Sequence, residues 1–368
     1  MAVDLSAIPG AVVDDGLLVH VGQPIIEQRA LVRGTAVAPR ADRRVLAVSG
    51  EDRLSWLDSV SSQALTALAP GTATELLILD PQGRVEHSAS VIDDGETTWL
   101  IVDRDDAETL LGWLLRMRFR LRVAPRDASA ELAVVGVTDA GLPLVTAAAP
   151  HGVPLVWRDP WPEISPGGVA YTADEGHPGH DYRWNDVLVT PAEGQRLLDA
   201  ALHGDVTLAG TLAVDALRVA AWRPRWANEV DERTIPHELD WMRTAVHMNK
   251  GCYRGQETVA KVHNLGHPPR RLVALDLDGS DDLLPSRGDV VRIGDVEVGA
   301  ITSAARHHED GPIALAVIKR SAATEGTLTV VTADGALTAT ATTIVPPGAG
   351  ATADVPRLTR LSRRAVAQ

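Results

Sequence analysis

Sulfur, phenylalanine and positive charge are all scarce in this 368-residue chain, which holds one Cys, one Phe and three Tyr beside nine Trp. A lone Cys252 excludes an intramolecular disulfide and any all-cysteine metal site, and fits a reducing compartment. No apolar run approaches the roughly 20 residues needed to span a bilayer. The opening MAVDLSAIPGAVVDDG has no basic n-region and meets acid at Asp4, Asp14 and Asp15, so it does not read as a secretory signal. Lys plus Arg total 35 against 49 Asp plus Glu, a formal charge of -14 that repels phosphate backbones at long range. These absences predict a cytoplasmic protein with no membrane association and no stable nucleic-acid binding, any such contact being left to a local basic patch.

What is present is globular. Hydrophobic residues make up 45% and charged residues 23%, and the length suggests two or three domains. From Ser49, SGEDRLSWLDSV reads as a helix start with Leu54, Leu57 and Val60 on one face. Three strand signals follow: TELLILD, then GRVEHSASVID after the turn Asp80-Pro81-Gln82-Gly83, then TTWLIVD after Asp94-Gly95. Asp105 is expected to cap the next helix, with Glu108 in its first turn and Leu110, Leu111, Leu114 and Leu115 as its stripe. Another helix is expected from Thr190-Pro191-Ala192-Glu193 to Gly204. Beyond Pro268-Pro269 short alternating runs separated by Gly and Asp predict a small β-barrel, and the last stretch, from 346, reads as a mobile tail with a basic end. Strands and helices mixed in this order imply an α+β fold.

The one thiol stands in Lys250-Gly251-Cys252-Tyr253-Arg254-Gly255-Gln256-Glu257. In an extended backbone Lys250, Cys252 and Arg254 share a face, and cations there favour thiolate. Gly251 and Gly255 permit tight bends or close approach to a ligand. A lone cysteine also reads as a small buried hydrophobe, and the residues alone leave both readings open.

That octapeptide resembles the K-G-C-Y-x-G-Q-E signature of the YgfZ family, relatives of the glycine-cleavage T-protein (aminomethyltransferase) that bind folate and support iron-sulfur proteins. HVGQPIIEQRALVRG, VLAVSGEDRLSWLDSV, WANEVDERTIPHELDW and VGAITSAARHHEDGPIALAVIKR are similar to further T-protein segments, so the likeness covers roughly residues 20 to 330. It implies a three-domain ring with tetrahydrofolate in a central channel and a C-terminal β-barrel. The corresponding division is 1–50 with 130–220, 51–129 with 221–268, a barrel over 269–345, and the tail 346–368. The resemblance places Cys252 at the channel mouth, with Lys250 biasing it toward thiolate and Gln256 and Glu257 supplying hydrogen bonds. Glu229 becomes a candidate for the folate pocket and Arg218 for the ligand's carboxylate tail. Expected partners are folate, iron-sulfur client proteins and, through them, tRNA modification.

One departure separates two functions. T-proteins resemble G-G-x-x-D-D where this chain reads Gly83-Arg84-Val85-Glu86-His87-Ser88, so the aspartate that would hold a transferred amine is missing. The expectation is an accessory protein rather than a folate-dependent aminomethyl or methyl transferase, which would have to rely on His87 or Glu86. A third reading is a docking protein whose Arg116, Arg118, Arg120 and Arg122, alternating with apolar residues, form one cationic strand face for a client or tRNA. The loop Asp174-Glu175-Gly176-His177-Pro178-Gly179-His180-Asp181 carries metal-ligand types, but its Pro-Gly pair equally suits an exposed turn, and no metal is assigned. His247, His263 and His267 read as structural, one of them within reach of being a proton acceptor for Cys252.

Overall fold

The structure is a computed structural model and describes residues 5–173, 175–280 and 282–353. A hairpin of β1 (Ala11–Asp14) and β2 (Leu17–Val21) leads through α1 (Pro24–Val32) to β3 (Ala36–Pro39). Next come β4 (Arg43–Ser49), α2 (Arg53–Val60), β5 (Ala73–Leu79), β6 (Val85–Asp93), β7 (Thr97–Asp103), α3 (Ala107–Met117) and β8 (Ala124–Asp127). The chain continues through β9 (Ala133–Thr138), β10 (Val156–Arg158), β11 (Trp184–Val189), α4 (Pro191–His203), β12 (Thr207–Leu208), α5 (Thr211–Ala220), the short α6 (Trp226–Glu229) and α7 (Gln256–Leu265). It ends in β13 (Arg270–Leu277), β14 (Val290–Ile293), β15 (Val296–His307), β16 (Gly311–Lys319), β17 (Thr327–Thr332) and β18 (Gly335–Thr343).

These strands form three bodies. One five-stranded sheet has the order β10-β11-β9-β3-β12, a second has β5-β6-β7-β4-β8, and β13 to β18 close a barrel in the order β13-β16-β15-β14-β17-β18. The α+β architecture with a C-terminal barrel is therefore the one the sequence implied. Because β4 pairs with β7 and β8, the two five-stranded sheets divide between β3 and β4. On one face of the second sheet Leu46, Val48, Leu100 and Val102 meet Trp56 and Leu57 of α2 and Leu110 and Leu114 of α3. On the other, Val45, Trp99 and Ile101 meet Val134, Leu155, Trp157 and Leu188 of the first sheet region. Burial on both faces is why TTWLIVD shows no alternation.

Local chemistry explains the ends of the elements. Thr190 caps α4 by accepting from the Glu193 N–H at 3.3 Å, and Gly204 closes the helix at φ 82. The Glu193 carboxylate turns instead to Thr146 N–H and Arg196, so only half a capping box forms. At α3 the cap position falls on Asp106, one residue beyond the expected Asp105, and its carboxylate binds His87 rather than the helix. Leu115 of the expected stripe is exposed. The arginine stripe is not a strand: α3 runs on through Met117, and Phe119 takes a left-handed φ of 44, which breaks the alternation. Arg122 pairs with Glu51 and Asp52, while Phe119 stays 79% exposed.

The stretch from 346 to 353 is docked rather than mobile. Ala349 is buried, and the N–H groups of Thr352 and Ala353 donate to the last carbonyls of α7, at His263 and Asn264. The expected tail over 354–368 lies outside the described residues. Among the described residues no helix is long and apolar enough to cross a membrane.

Candidate functional site

The signature segment is a loop that docks on the β5–β6 turn and then starts α7. Gly255 stands at φ 84, and a β-carbon there would lie 2.6 Å from the Asp80 carbonyl oxygen and 3.0 Å from the α-carbon of Gly83. Gly83 in turn packs on Thr258, where an added β-carbon would sit 2.9 Å from the Thr258 Cβ. Two facing glycines thus let two backbones touch. Tyr253 enters the core beside Val259, Trp241 and the barrel residues Leu272 and Leu315. Arg254 reaches Glu86 of β6 at 2.5 Å, and Gln256 Nε2 donates to the Lys250 carbonyl at 3.4 Å. Gly251, Cys252 and Glu257 are exposed.

Lys250 does not share a face with Cys252, because its ammonium is buried elsewhere. Nζ donates to the carbonyls of Asp58, Ser61 (2.9 Å) and Gln63 (2.7 Å), pairs with the Asp58 carboxylate at 3.4 Å, and lies 5.3 Å from the Tyr253 ring centroid. Those carbonyls sit at or just beyond the C-terminal end of α2, where the backbone leaves acceptors unfilled and the helix dipole favours a cation. Burial lowers the Lys250 pKa below its ordinary value, and Asp58 partly offsets this. The lysine is a clamp between the loop and α2.

Where α5 gives way to α6 the chain builds a buried charged knot. Trp222 takes φ 59, a left-handed turn that a bulky side chain adopts only under strain, and the segment beyond it sends two arginines inward. Arg223 bridges Glu75 of β5 at 2.7 Å and Asp159 at 3.0 Å, while Arg225 bridges Asp42 at 2.8 Å and Asp103 of β7 at 2.5 Å. Arg40 completes the set with Asp42 and Asp186. Burial by itself would lower the Arg223 pKa, yet Asp159 and Glu75 hold it above its ordinary value. Burial, with Glu75 adding to it and Arg223 opposing, pushes Asp159 up to about 6.

The two residues expected at a ligand are bound to each other. Arg218 donates to Glu229 at 3.1 Å and to Ser303 of β15 at 2.7 Å; Glu229 also accepts from Ser303 at 2.5 Å and from the Arg225 N–H at 2.7 Å. Glu229 therefore ties α6 to α5 and the barrel, while Arg218 also lines the cavity beside it. That cavity has a volume of about 40 Å³, room for little more than a water. Four of its lining residues carry buried polar atoms without a hydrogen-bond partner: Arg43 Nε, Glu75 Oε1, Arg223 Nη1 and Trp241 Nε1. One acceptor and three donors so placed await a polar ligand or water. Sequence reasoning missed all four.

Other candidates have structural partners. His87 is buried with Nδ1 2.7 Å from Asp106, on the helix-covered side of β6, and Glu86 is taken by Arg254. His177 is buried and bonds Arg243, and His180 bonds the Pro162 carbonyl. Asp174 lies outside the described residues. Among the described residues no group of three or more His, Cys, Asp or Glu is placed to hold a metal ion. His263 bonds the Tyr171 hydroxyl at 2.9 Å, His267 the Ala349 carbonyl at 2.8 Å, and His247 accepts from the Asn249 N–H at 3.3 Å.

Residues 270–347 match the family model of the glycine cleavage T-protein C-terminal barrel domain. The chain is 27% identical over 303 residues to an aminomethyltransferase of Rippkaea orientalis, covering 76% of this chain and 77% of that protein. It is 26% identical over 249 residues to the mitochondrial iron-sulfur cluster assembly factor IBA57 homolog of Mycosarcoma maydis, covering 63% and 55%. The solved aminomethyltransferase T of the glycine cleavage system from Bartonella henselae superposes with a TM-score of 0.69 at 16% identity, over 92% of this chain and 94% of that one. The barrel is of the T-protein type, and the whole architecture is that of the aminomethyltransferase fold.

Two substitutions probe the docked loop. Gly255→Ala is expected to lower the unfolding free energy by roughly 2 kcal/mol in urea, combining a forced left-handed φ with a backbone clash. Lys250→Met strands the carbonyls at the end of α2 and is expected to cost about 3 kcal/mol, while the rate of Cys252 with an aromatic disulfide reagent changes by less than about threefold. A tenfold slower thiol in a folded Lys250→Met protein would show that the lysine serves the sulfur after all.

Proposed function

We propose that this chain is a cytoplasmic, folate-binding accessory protein that supports maturation or repair of iron-sulfur proteins, with Cys252 as its functional thiol. The observation that carries the reading is the exposure of the chain's only thiol on a loop fixed by Lys250, Tyr253 and Gly255. A small hydrophobe would have been buried there, as Tyr253 is. The similarity to an iron-sulfur cluster assembly factor points the same way. A single thiolate is too few ligands for a stable cluster, so a client must supply the rest. A connection with tRNA modification would run through such a client, since a charge of -14 opposes direct RNA binding.

The chemistry of the central walls fits a pterin. Paired N–H donors on such a ring suit the open Glu75 oxygen, and its carbonyl suits the donors of Arg223 and Trp241. Space is the constraint, because about 40 Å³ admits no ring until neighbouring side chains yield. The half-buried Trp226 at the wall is the side chain we expect to swing. Tetrahydrofolate would supply a one-carbon carrier; Glu75, Arg223 and Trp241 would orient it.

Aminomethyl transfer, the activity for which several relatives are named, is the second reading. Against it, both candidate substitutes for the missing aspartate are committed, His87 to Asp106 and Glu86 to Arg254. Calorimetric titration with tetrahydrofolate separates these ideas. Wild type and Cys252→Ala should bind alike, Glu75→Gln should bind at least about tenfold more weakly, and Cys252→Ala alone should lower iron-sulfur client activity in cells. Methylene-tetrahydrofolate turnover that survives Cys252→Ala would favour the transferase, and no heat with wild type would remove both folate readings.

A further inference from the structure

Beside the first sheet lies a second cavity, of about 490 Å³. Its floor is apolar: Val37 of β3, Val135 of β9, Val189 of β11, Leu208 of β12, and Leu197 and Leu198 of α4. These six side chains belong to one core cluster and are themselves buried, so the accessible apolar lining is that of Leu5, Pro39, Ala133 and Pro191 around them. An apolar space this large, within the range of about 300–1,000 Å³ for small-molecule sites, calls for an occupant.

The rim states which kind. Four arginines line the cavity, Arg40, Arg43, Arg44 and Arg104, against one carboxylate, Asp15. Arg40 and Arg43 pair with Asp186, Asp42 and Asp103, none of which lines this space. Arg104 pairs with Asp15 and, at 3.7 Å, with Asp105, both of them exposed. Arg44 is exposed and has no carboxylate within ion-pair distance among the described residues, though against burial its charge helps hold Asp127 below its ordinary pKa. In a chain carrying -14, a cationic mouth over aliphatic walls complements an anion with an apolar body.

We propose that this cavity binds an amphipathic carboxylate, a medium-length acyl chain whose head group is held by Arg44 and Arg104 and whose methylenes lie against Leu5, Pro39, Ala133 and Pro191 above Val135 and Leu198. No bond is made or broken; the site is one of binding, and it shares Arg40 and Arg43 with the wall of the central cavity but not Glu75, Arg223, Trp241 or Cys252. Titration calorimetry of the full chain with decanoate, decanol and acetate tests it. Decanoate should bind in the micromolar range, with decanol and acetate at least about tenfold weaker. Ala133→Trp at the mouth and Leu198→Phe on the floor should each weaken decanoate at least about tenfold while the thermal midpoint stays level or rises. Arg44→Glu should remove the preference for decanoate over decanol. Decanol binding as tightly as decanoate, no decanoate heat with wild type, or full decanoate affinity in both cavity-filling variants would each overturn the proposal. Tetrahydrofolate binding should be the same in Ala133→Trp as in wild type, so the two sites fail or stand independently.

Discussion

The constraint on which the rest depends is the burial of paired charge where the two sheets meet the segment after α5. Arg40, Arg223 and Arg225 are between 5% and 11% exposed, and between them they engage Asp42, Asp103, Asp159, Asp186 and Glu75. Taking such groups out of water is costly, and the pairing offsets that cost only if every partner stays within hydrogen-bond range. A hydrophobic junction would tolerate sliding; this one does not. Burial works to raise the Asp42 pKa, yet Arg40 and Arg225 hold it far below the usual carboxylate range, the electrostatic signature of a junction that stays charged. Arg218, Glu229 and Ser303 extend the same logic to the barrel, so all three bodies are registered by ion pairs at their inner edges and by apolar clusters behind them.

The backbone is bent to make this possible. Trp222 and Asp240 hold left-handed conformations without the excuse of glycine. Each is buttressed: Trp222 packs near His177, and the Asp240 carboxylate accepts from the Tyr171 N–H at 2.6 Å and from the Thr172 hydroxyl at 2.9 Å. Strain of about 1–3 kcal/mol persists only where surrounding contacts over-determine it. Here it aims Arg223 at β5 and Trp241 at the central cavity, which leaves the Glu75 oxygen and nitrogens of Arg223 and Trp241 lining one small space.

Much of this architecture was legible in the sequence because it is written locally. Thr190-Pro191-Ala192-Glu193 and Gly204 bracket α4, Gly83 and Gly95 mark hairpins, and the alternating runs after Pro269 are barrel strands. The arginine stripe misled because R-x-R-x is compatible with a strand, whereas α3 reaches into it from one side and Phe119 turns it from the other. The central residues were illegible for a different reason. Glu75, Arg223 and Trp241 are spread over more than 160 positions, and a glutamate on a strand or an arginine beside a proline reads as a solvated surface until the fold brings them together. Glu229 and Arg218 stood out as candidates for a ligand, but the pairing between them, and with Ser303, was written in no single segment.

The octapeptide shows the same division at close range. Its residue types were legible; the extended geometry assumed for them was not, since the acceptors that draw Lys250 inward lie about 190 positions earlier at the end of α2. Once Lys250, Tyr253 and Arg254 are assigned to the carbonyl cage, the core and Glu86, the loop has one reactive group left facing solvent. His263, His267 and His247 each engage Nδ1 with Tyr171, Ala349 and Asn249. On the accessory reading, then, what the fold supplies to Cys252 is position: a loop pinned by Lys250, Tyr253 and Arg254 that holds the thiol open to the client that docks against it.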